Sequence, residues 1–404
     1  MIDPKKNNNN HIVEDINNDN NEEDLDKVAS SFELKQKMKR LIMLIIILTA
    51  LLLIIMWLLS LRNPTNKSYA DLEKIMVNAA QNYYKDNKNL LPKKNKGINE
   101  VSLQKLINLE YMRELEKYGS NKLKCSGKVV VENNDDDYVY VPYLDCSSDY
   151  KTTELFRKVS NSSNVVTSGN GLYHINGEFV FRGDNVNNYV KLDDKLWRIV
   201  KIDNNDEVVL ILNDTYDMSM AWDDRYNSIQ KFKVGFNDYK ISRIYDTLNN
   251  IYSASKTGDD SKFTNLLVSK KTLKYLTSYN LCYGKRGTEQ AVNNNSLECS
   301  QVLTAKIGLL TLSDYINASL DGVCSKVTDK SCQNYNYLTS INNDWWLLTG
   351  NSANDYEVYY VAASGVIKKQ MASSYFGIRP VIHLNSKTMF KSGNGTESKP
   401  YKIK

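Results

Sequence analysis

From Leu41 to Leu61 the chain reads LIMLIIILTALLLIIMWLLSL, an uncharged run interrupted only by Thr49, Trp57 and Ser60. At about 1.5 Å per residue it is about 31 Å long as a helix, matching a bilayer core of about 30 Å. Each Leu or Ile favours insertion by roughly 0.3–0.6 kcal/mol at the helix centre, so the run predicts a membrane-spanning anchor over 39–61. Lys35, Lys37, Lys39 and Arg40 crowd its N-terminal flank, against Arg62 and Lys67 on the other. That asymmetry keeps the N-terminus cytoplasmic and puts residues from about 62 onward outside the cell membrane. A long polar segment precedes the run and no small-x-small site follows before Arg62, which favours a signal anchor over a cleaved signal.

The pattern beyond the anchor alternates between two periods. SYADLEKIMVNAAQNYYKDN places Leu72, Ile75, Met76, Ala79, Ala80 and Tyr83 on one helical face, with Ser68 as its cap and Asp71 in its first turn. A second helix is expected over 101–119, with Leu103, Leu106, Ile107 and Met112 apolar and Gly119 as its stop. KVVVE (128–132) and YVYVPYL (138–144) then read as strands joined by an acidic turn. The stretch 151–170 is rich in Ser and Asn and reads as a linker.

From 171 the period is mostly two. LYHI-NG-EFVF carries the Asn176–Gly177 pair of a type I′ hairpin, and 189–214 reads as a three-strand meander turning at Asp193–Asp194 and at Asp203–Asp206. Trp197, Ile199, Val209 and Ile211 supply its buried face. The Asp203–Asp206 cluster lacks the spaced acids and distal Glu of an EF-hand, so it reads as a turn. Residues 240–280 change to helical spacing, predicting one helix with Ile244, Leu248 and Ile251 inward and another with Leu266, Leu267, Leu273 and Leu276 inward. Ser313–Asp314 marks a further helix start. DWWLLTG, EVYYVAASGVIKK and SYFGIRPVIHLN return to strands, the second folded back at Ser364–Gly365.

Composition narrows the partners. The net charge of +5 and the 25% charged fraction are ordinary, and the basic residues form no stripe, so no nucleic acid is expected. The stretch before the anchor, NNNNHIVEDINNDNNEEDLDKVASS, is Asn-rich, acidic and poor in apolar side chains, predicting a disordered cytoplasmic tail over 1–38. All six cysteines (Cys125, Cys146, Cys282, Cys299, Cys324 and Cys332) follow the anchor, where oxidation is possible. Cys125 and Cys146 are symmetric about the acidic turn and would face each other across the hairpin. The last four are assigned to nearest neighbours, Cys282 with Cys299 and Cys324 with Cys332, although spacing leaves their connectivity open. No Cys/His zinc spacing occurs, and no metal or cofactor is expected. His174 and His383 fall on strands without a nucleophile motif, and Arg379, held extended before Pro380, is expected to pair with a carboxylate or carbonyls as a structural residue.

Two resemblances follow from these segments. The anchor followed by AAQNYYKDN, LLP, VSLQKLI and a Cys-bounded hairpin resembles the layout of type IV pilins and pseudopilins over about 41–150, although the prepilin peptidase site is absent at KRLIMLII. The ordered set WRIVKID, VVLILND, AWDDRYN, IGLLTLSDYINAS, WWLLTGNS, VYYVAASGVI, FGIRPVIHL and GNGTESKPYKI resembles uncharacterised bacterial surface domains of C-type-lectin-like fold. That fold is shared with formylglycine-generating (sulfatase-modifying) enzymes and variable receptor proteins. The resemblance implies an α+β protein: a single transmembrane helix, a small pilin-like α+β domain over 62–150, and a C-type-lectin-like mixed α+β domain over 171–404. It also implies ligand contact between WWLL and GIRP, through Asn351, Asn354, Asp355, Tyr356, Ser373 and Tyr375. The enzymes of that fold use paired copper-binding cysteines near the C-terminal end, and here no Cys follows Cys332. The expected function is therefore non-catalytic binding of an extracellular protein or glycan by an integral, single-pass membrane protein. The alternatives are a pilin-like structural subunit acting through the helix over 68–86, and an enzyme using Asp223–Asp224 or Asp259–Asp260.

Overall fold

A computed structural model describes residues 21–62, 67–134, 137–216, 219–259, 266–291 and 295–404. The chain divides into two compact units, one comprising Met1–Asn66 with Leu115–Leu123 and the other Lys67–Glu114 with Lys124–Lys404. In the first unit, helix α1 (Asn21–Arg62) contains a candidate membrane span, Leu34–Met56, of 23 residues and mean hydropathy 2.6, none of it buried within the protein. Residues 21–38 therefore continue the helix, which corrects the expectation of a disordered tail for that part. Once the apolar run has nucleated, each further residue adds a hydrogen bond. The rest of the expected tail, residues 1–20, falls outside the described residues.

The second unit opens with α2 (Tyr69–Asp86), whose Asp71 N–H donates to the Ser68 hydroxyl as expected. Its buried face, Leu72, Met76, Ala79, Ala80, Tyr83 and Tyr84, packs on an antiparallel sheet of β1 (Ile98–Ser102), β2 (Ser126–Asn134) and β3 (Asp137–Asp145). A disulfide between Cys125 and Cys146 closes the β2–β3 hairpin. The expected helix over 101–119 is short: α3 covers only Leu103–Asn108, and Glu110 turns left-handed at φ 61°. The turn puts Met112 in the core beside Leu106, whose carbonyl accepts the Met112 amide at 3.3 Å.

The stretch expected as a linker is not free chain. It forms α4 (Leu155–Val159), which buries Leu155, Phe156 and Val159, and the Leu155 amide donates to the Thr388 carbonyl at 2.7 Å. β4 (Gly171–Ile175) and β5 (Glu178–Arg182) form the expected hairpin, with φ 52° at Asn176 and 87° at Gly177, as a type I′ turn requires. The meander follows as β6 (Tyr189–Leu192), β7 (Lys195–Ile202) and β8 (Val208–Leu212), then β9 (Ser219–Ala221) and α5 (Arg243–Thr257). α5 buries Ile244, Leu248 and Ile251 as its spacing predicts.

The second helix expected before residue 280 does not form. A single turn at Leu273–Tyr275 gives way to β10 (Tyr279–Tyr283), followed by β11 (Lys285–Arg286), β12 (Gln301–Ala305) and β13 (Ile307–Gly308). The Asp193 carboxylate accepts the Ser269 amide at 2.7 Å and the Thr272 hydroxyl at 2.8 Å, fixing a turn where a helix would have run. The remaining elements are α6 (Leu312–Asn317), β14 (Trp345–Asn351), β15 (Glu357–Val361), β16 (Ile367–Met371), β17 (Tyr375–Gly377), β18 (Val381–Leu384), β19 (Phe390–Ser392) and β20 (Tyr401–Ile403).

Two sheets organise the unit. The larger runs β13-β18-β8-β7-β6-β20-β19, with the β4–β5 hairpin attached through β7. The other runs β16-β15-β14-β17-β9, with β11 parallel to β14. Trp345 and Trp346 point to opposite faces of β14, yet both are fully buried because the strand is covered on both sides. The cysteines pair as the nearest-neighbour assignment had it, Cys282 with Cys299 and Cys324 with Cys332. The segment around α2 is tied to the larger sheets by charge: Lys404 reaches the buried Glu73, Lys387 pairs with Glu132 at 2.6 Å, and Lys96 with Glu207 at 3.4 Å.

Candidate functional site

Between β9 and α5 the chain forms a fifteen-residue excursion, 223–237, that carries three exposed apolar side chains: Tyr226 at 57% exposure, Ile229 at 69% and Phe232 at 69%. Arg225, Lys231 and Lys233 punctuate them. An apolar tip in water is ordinarily mobile or buried, but this one is held by a polar socket. Asn227, fully buried, donates through Nδ2 to the Gly235 carbonyl at 2.8 Å and to Asp355 Oδ2 at 3.0 Å. Its Oδ1 accepts the amides of Ile229 at 2.9 Å and Gln230 at 3.1 Å. The Gln230 side chain donates to the other Asp355 oxygen at 2.9 Å.

The base of the excursion is equally fixed. Asn237 Nδ2 donates to the carbonyls of Asn351, Asn354 and Glu357, at 3.0, 3.0 and 2.7 Å. Asp223, fully buried, accepts from the Phe236 amide at 2.8 Å and pairs with Arg225 at 2.7 Å. Gly235 has φ +74°, and a Cβ there would stand 1.9 Å from the Asp223 carbonyl oxygen, so only glycine lets the returning strand pass this close. The Ser373 amide closes the far side by donating to the Val234 carbonyl at 3.2 Å.

These contacts assign places to the residues expected to bind ligand. Asn351 and Asn354 both donate to the Glu357 carboxylate, at 2.7 and 2.6 Å, and Asn351 is fully buried. Asp355 faces the loop rather than solvent, and the Ala372 amide binds the Tyr356 carbonyl at 2.8 Å. Asn351, Asn354, Asp355 and Ser373 thus form the socket, and of the six only Tyr375, at 65% exposure, projects outward. Tyr375 borders a groove of about 740 Å³ whose other walls include Asp214, Thr215, Ser219, Asn343 and Asp344. Sequence reasoning missed Tyr226, Ile229 and Phe232, and the signal available was large apolar side chains spaced every third residue in an otherwise polar, basic stretch, RYNSIQKFK.

The electrostatics fit a socket. Burial pushes the carboxyls of Asp355 and Glu357 up, but the side-chain amides of Asn227 and Gln230 on one, and those of Asn354 and Asn351 with the Lys369 ammonium on the other, hold both below the usual carboxylate range. Arg379 fulfils its expected structural role through carbonyls alone, donating to Leu212 at 3.0 Å, Leu338 at 3.1 Å and Asn213 at 3.0 Å. Burial lowers its guanidinium to about 9, and the Trp345 ring 4.7 Å away shares its charge. The acids weighed as catalytic are occupied too: Asp223 is sealed inside the loop base, where an exposed loop acid was expected, and Asp224 pairs with Arg243 at 3.3 Å. Asp260 lies outside the described residues. His174 stacks on Phe179. Among the described residues, Asp203, Glu207 and His383 are the one group whose side chains converge as metal ligands would.

Residues 206–386 match a family model described as Domain of unknown function (DUF6273). The matched segment contains the excursion, its socket and the groove. No curated protein and no solved structure matches the chain.

Proposed function

We propose that the protein is a membrane-anchored extracellular binding protein whose C-type-lectin-like head is non-catalytic and grips a protein ligand through Tyr226, Ile229 and Phe232. The observation that carries this is the combination of an apolar tip with a rigid polar socket: large apolar side chains are exposed on a loop that is already ordered, so little entropy is lost on contact. Aromatic anchors set among lysines suit a partner surface that is apolar at its centre and acidic at its rim. The open groove beside Tyr375 offers polar groups to the same ligand. Orientation rests on the basic N-terminal flank of the apolar helix, and the three disulfides suit an oxidising exterior. The pilin-like reading of residues 62–150 receives less support, since α2 directs its apolar face to its own sheet rather than to partner copies.

Intact cells displaying the full chain, probed against arrays of extracellular proteins and of glycans, test the proposal. A binder should emerge on the protein array, and the Tyr226→Ser, Ile229→Ser, Phe232→Ser triple variant should lose at least about tenfold in affinity. Binding that survives the triple variant at equal surface display refutes the loop assignment. A glycan hit that is lost in groove variants such as Tyr375→Ala transfers the function to the groove, and protection from externally added protease refutes the topology.

A further inference from the structure

We propose that Asp203, Glu207 and His383 form a binding site for a divalent transition ion of the zinc class, set into the larger sheet beside the segment that follows α2. The β7–β8 turn supplies the two carboxylates, and the β18–β8 register, in which His383 stands opposite Val209, brings the imidazole to them across 176 residues of sequence. His383 Nδ1 stands 3.2 Å from Glu207 Oε2 and 3.7 Å from Asp203 Oδ2, and the three ligand atoms all lie within 4.8 Å of one another. Zinc bound at about 2.0–2.2 Å needs tetrahedral neighbours about 3.4 Å apart; the two separations from His383 already match that within a few tenths of an ångström, and the two carboxylates close on an ion by a movement of about 1.4 Å at most.

Each ligand is also held from behind, as metal ligands characteristically are. Glu207 gives its other oxygen, Oε1, to Lys96 at 3.4 Å, and Lys96 in turn donates to the Thr277 hydroxyl at 2.6 Å. Asp203 gives Oδ1 to the amides of Asn205 at 2.9 Å and Glu207 at 3.0 Å. The His383 ring is clamped flat against Tyr279, centroids 3.6 Å apart and planes 7° from parallel. The outer partners thus leave Oε2, Oδ2 and Nδ1 all facing one point. His383 and Glu207 are 9% and 7% exposed, so the ion would be largely sheltered.

An imidazole with two carboxylates selects against calcium and magnesium, which take oxygen alone, and suits zinc, nickel or copper. The Lys96 ammonium opposes a second cation, so the affinity expected is micromolar rather than the tighter range of thiolate sites.

The test uses the full-length chain in detergent, untagged and stripped with chelator, titrated with zinc chloride against a chromophoric competitor. One ion per chain is expected. His383→Gln should weaken binding by about a hundredfold and Asp203→Asn, which keeps the turn-forming Oδ1, by at least about tenfold. Saturating zinc should raise the Tm of the wild type by several degrees and leave His383→Gln unmoved. X-ray absorption at the zinc edge of the wild type decides independently of any variant. One imidazole nitrogen with carboxylate and water oxygens supports the site; a sulfur-containing or all-water shell, wild-type affinity in both variants, or no uptake at about 100 μM zinc overturns it.

Discussion

Asn227 is the residue on which the exposed loop turns, and replacing it by alanine isolates the socket from the tip. The substitution removes two donated and two accepted hydrogen bonds, to Gly235, Asp355, Ile229 and Gln230, without touching Tyr226, Ile229 or Phe232. A net intramolecular hydrogen bond is worth about 1 kcal/mol, and water will satisfy some of the groups at this rim, so about 2 kcal/mol of local stability should be lost. That is about a thirtyfold fall in amide protection across 224–235, since each tenfold step is about 1.4 kcal/mol. Global stability should fall by less, because the core on either side is untouched. Asn227→Asp sharpens the comparison: it retains both accepted bonds but sets a second carboxylate about 3 Å from Asp355, where repulsion replaces donation. It should loosen the loop at neutral pH and tighten again as either acid protonates. Hydrogen exchange by mass spectrometry reads the loop, and ligand affinity on displayed protein reads its consequence. Unchanged protection in Asn227→Ala, or full protection with lost binding, would refute the idea that the socket preorganises the tip.

Two further outcomes follow from the same geometry. The carboxyls of Asp355 and Glu357 titrate below their ordinary range in the folded loop, so their stabilisation is complete above the unfolded values near pH 4 and is lost as pH falls through the lower folded values. Loop exchange, corrected for its intrinsic rate, should be flat from about pH 7 to 4.5 and accelerate below about 4; loosening on raising the pH from 5 to 8 would contradict it. Arg379→Leu strands three buried carbonyls and should cost about 3 kcal/mol or more in denaturant unfolding, with Arg379→Lys recovering only part because an ammonium cannot span the fork; a loss under about 1 kcal/mol would show the carbonyls finding other donors.

How much was legible depended on how local each cause is. Alternation alone placed the β2–β3, β4–β5 and β15–β16 hairpins, since their turns are encoded in adjacent residues such as Asn176–Gly177. α2 was equally plain from its Ser68 cap and apolar spacing, and α5 from its spacing alone. The segment before Tyr279 misled because Leu266, Leu267, Leu273 and Leu276 fit a helical stripe, while the hydrogen bonds that break it come from Asp193, more than seventy residues away. Even so, the alternating burial of Tyr279, Leu281 and Tyr283 was present in the sequence as a strand signal. The surroundings of the candidate ligand-binding residues were hidden for a related reason. Polar residues such as Asn351, Asn354 and Asp355 look alike whether they face a ligand or brace a neighbouring loop, and only the fold shows that Asn227 and Asn237 face them. The meeting of His383 with Asp203 and Glu207 depends on strand order, which no local pattern records.

The separation of tip from socket has a consequence for divergence. The hydrogen bonds that shape the excursion are made by Asp223, Asn227, Gln230, Asn237 and Asp355 and by main-chain groups, whereas the side chains of Tyr226, Ile229 and Phe232 are exposed. Copies of this module can therefore exchange those three side chains freely while the scaffold stays constant, and a laboratory library randomised at the same positions would inherit a ready-made display frame.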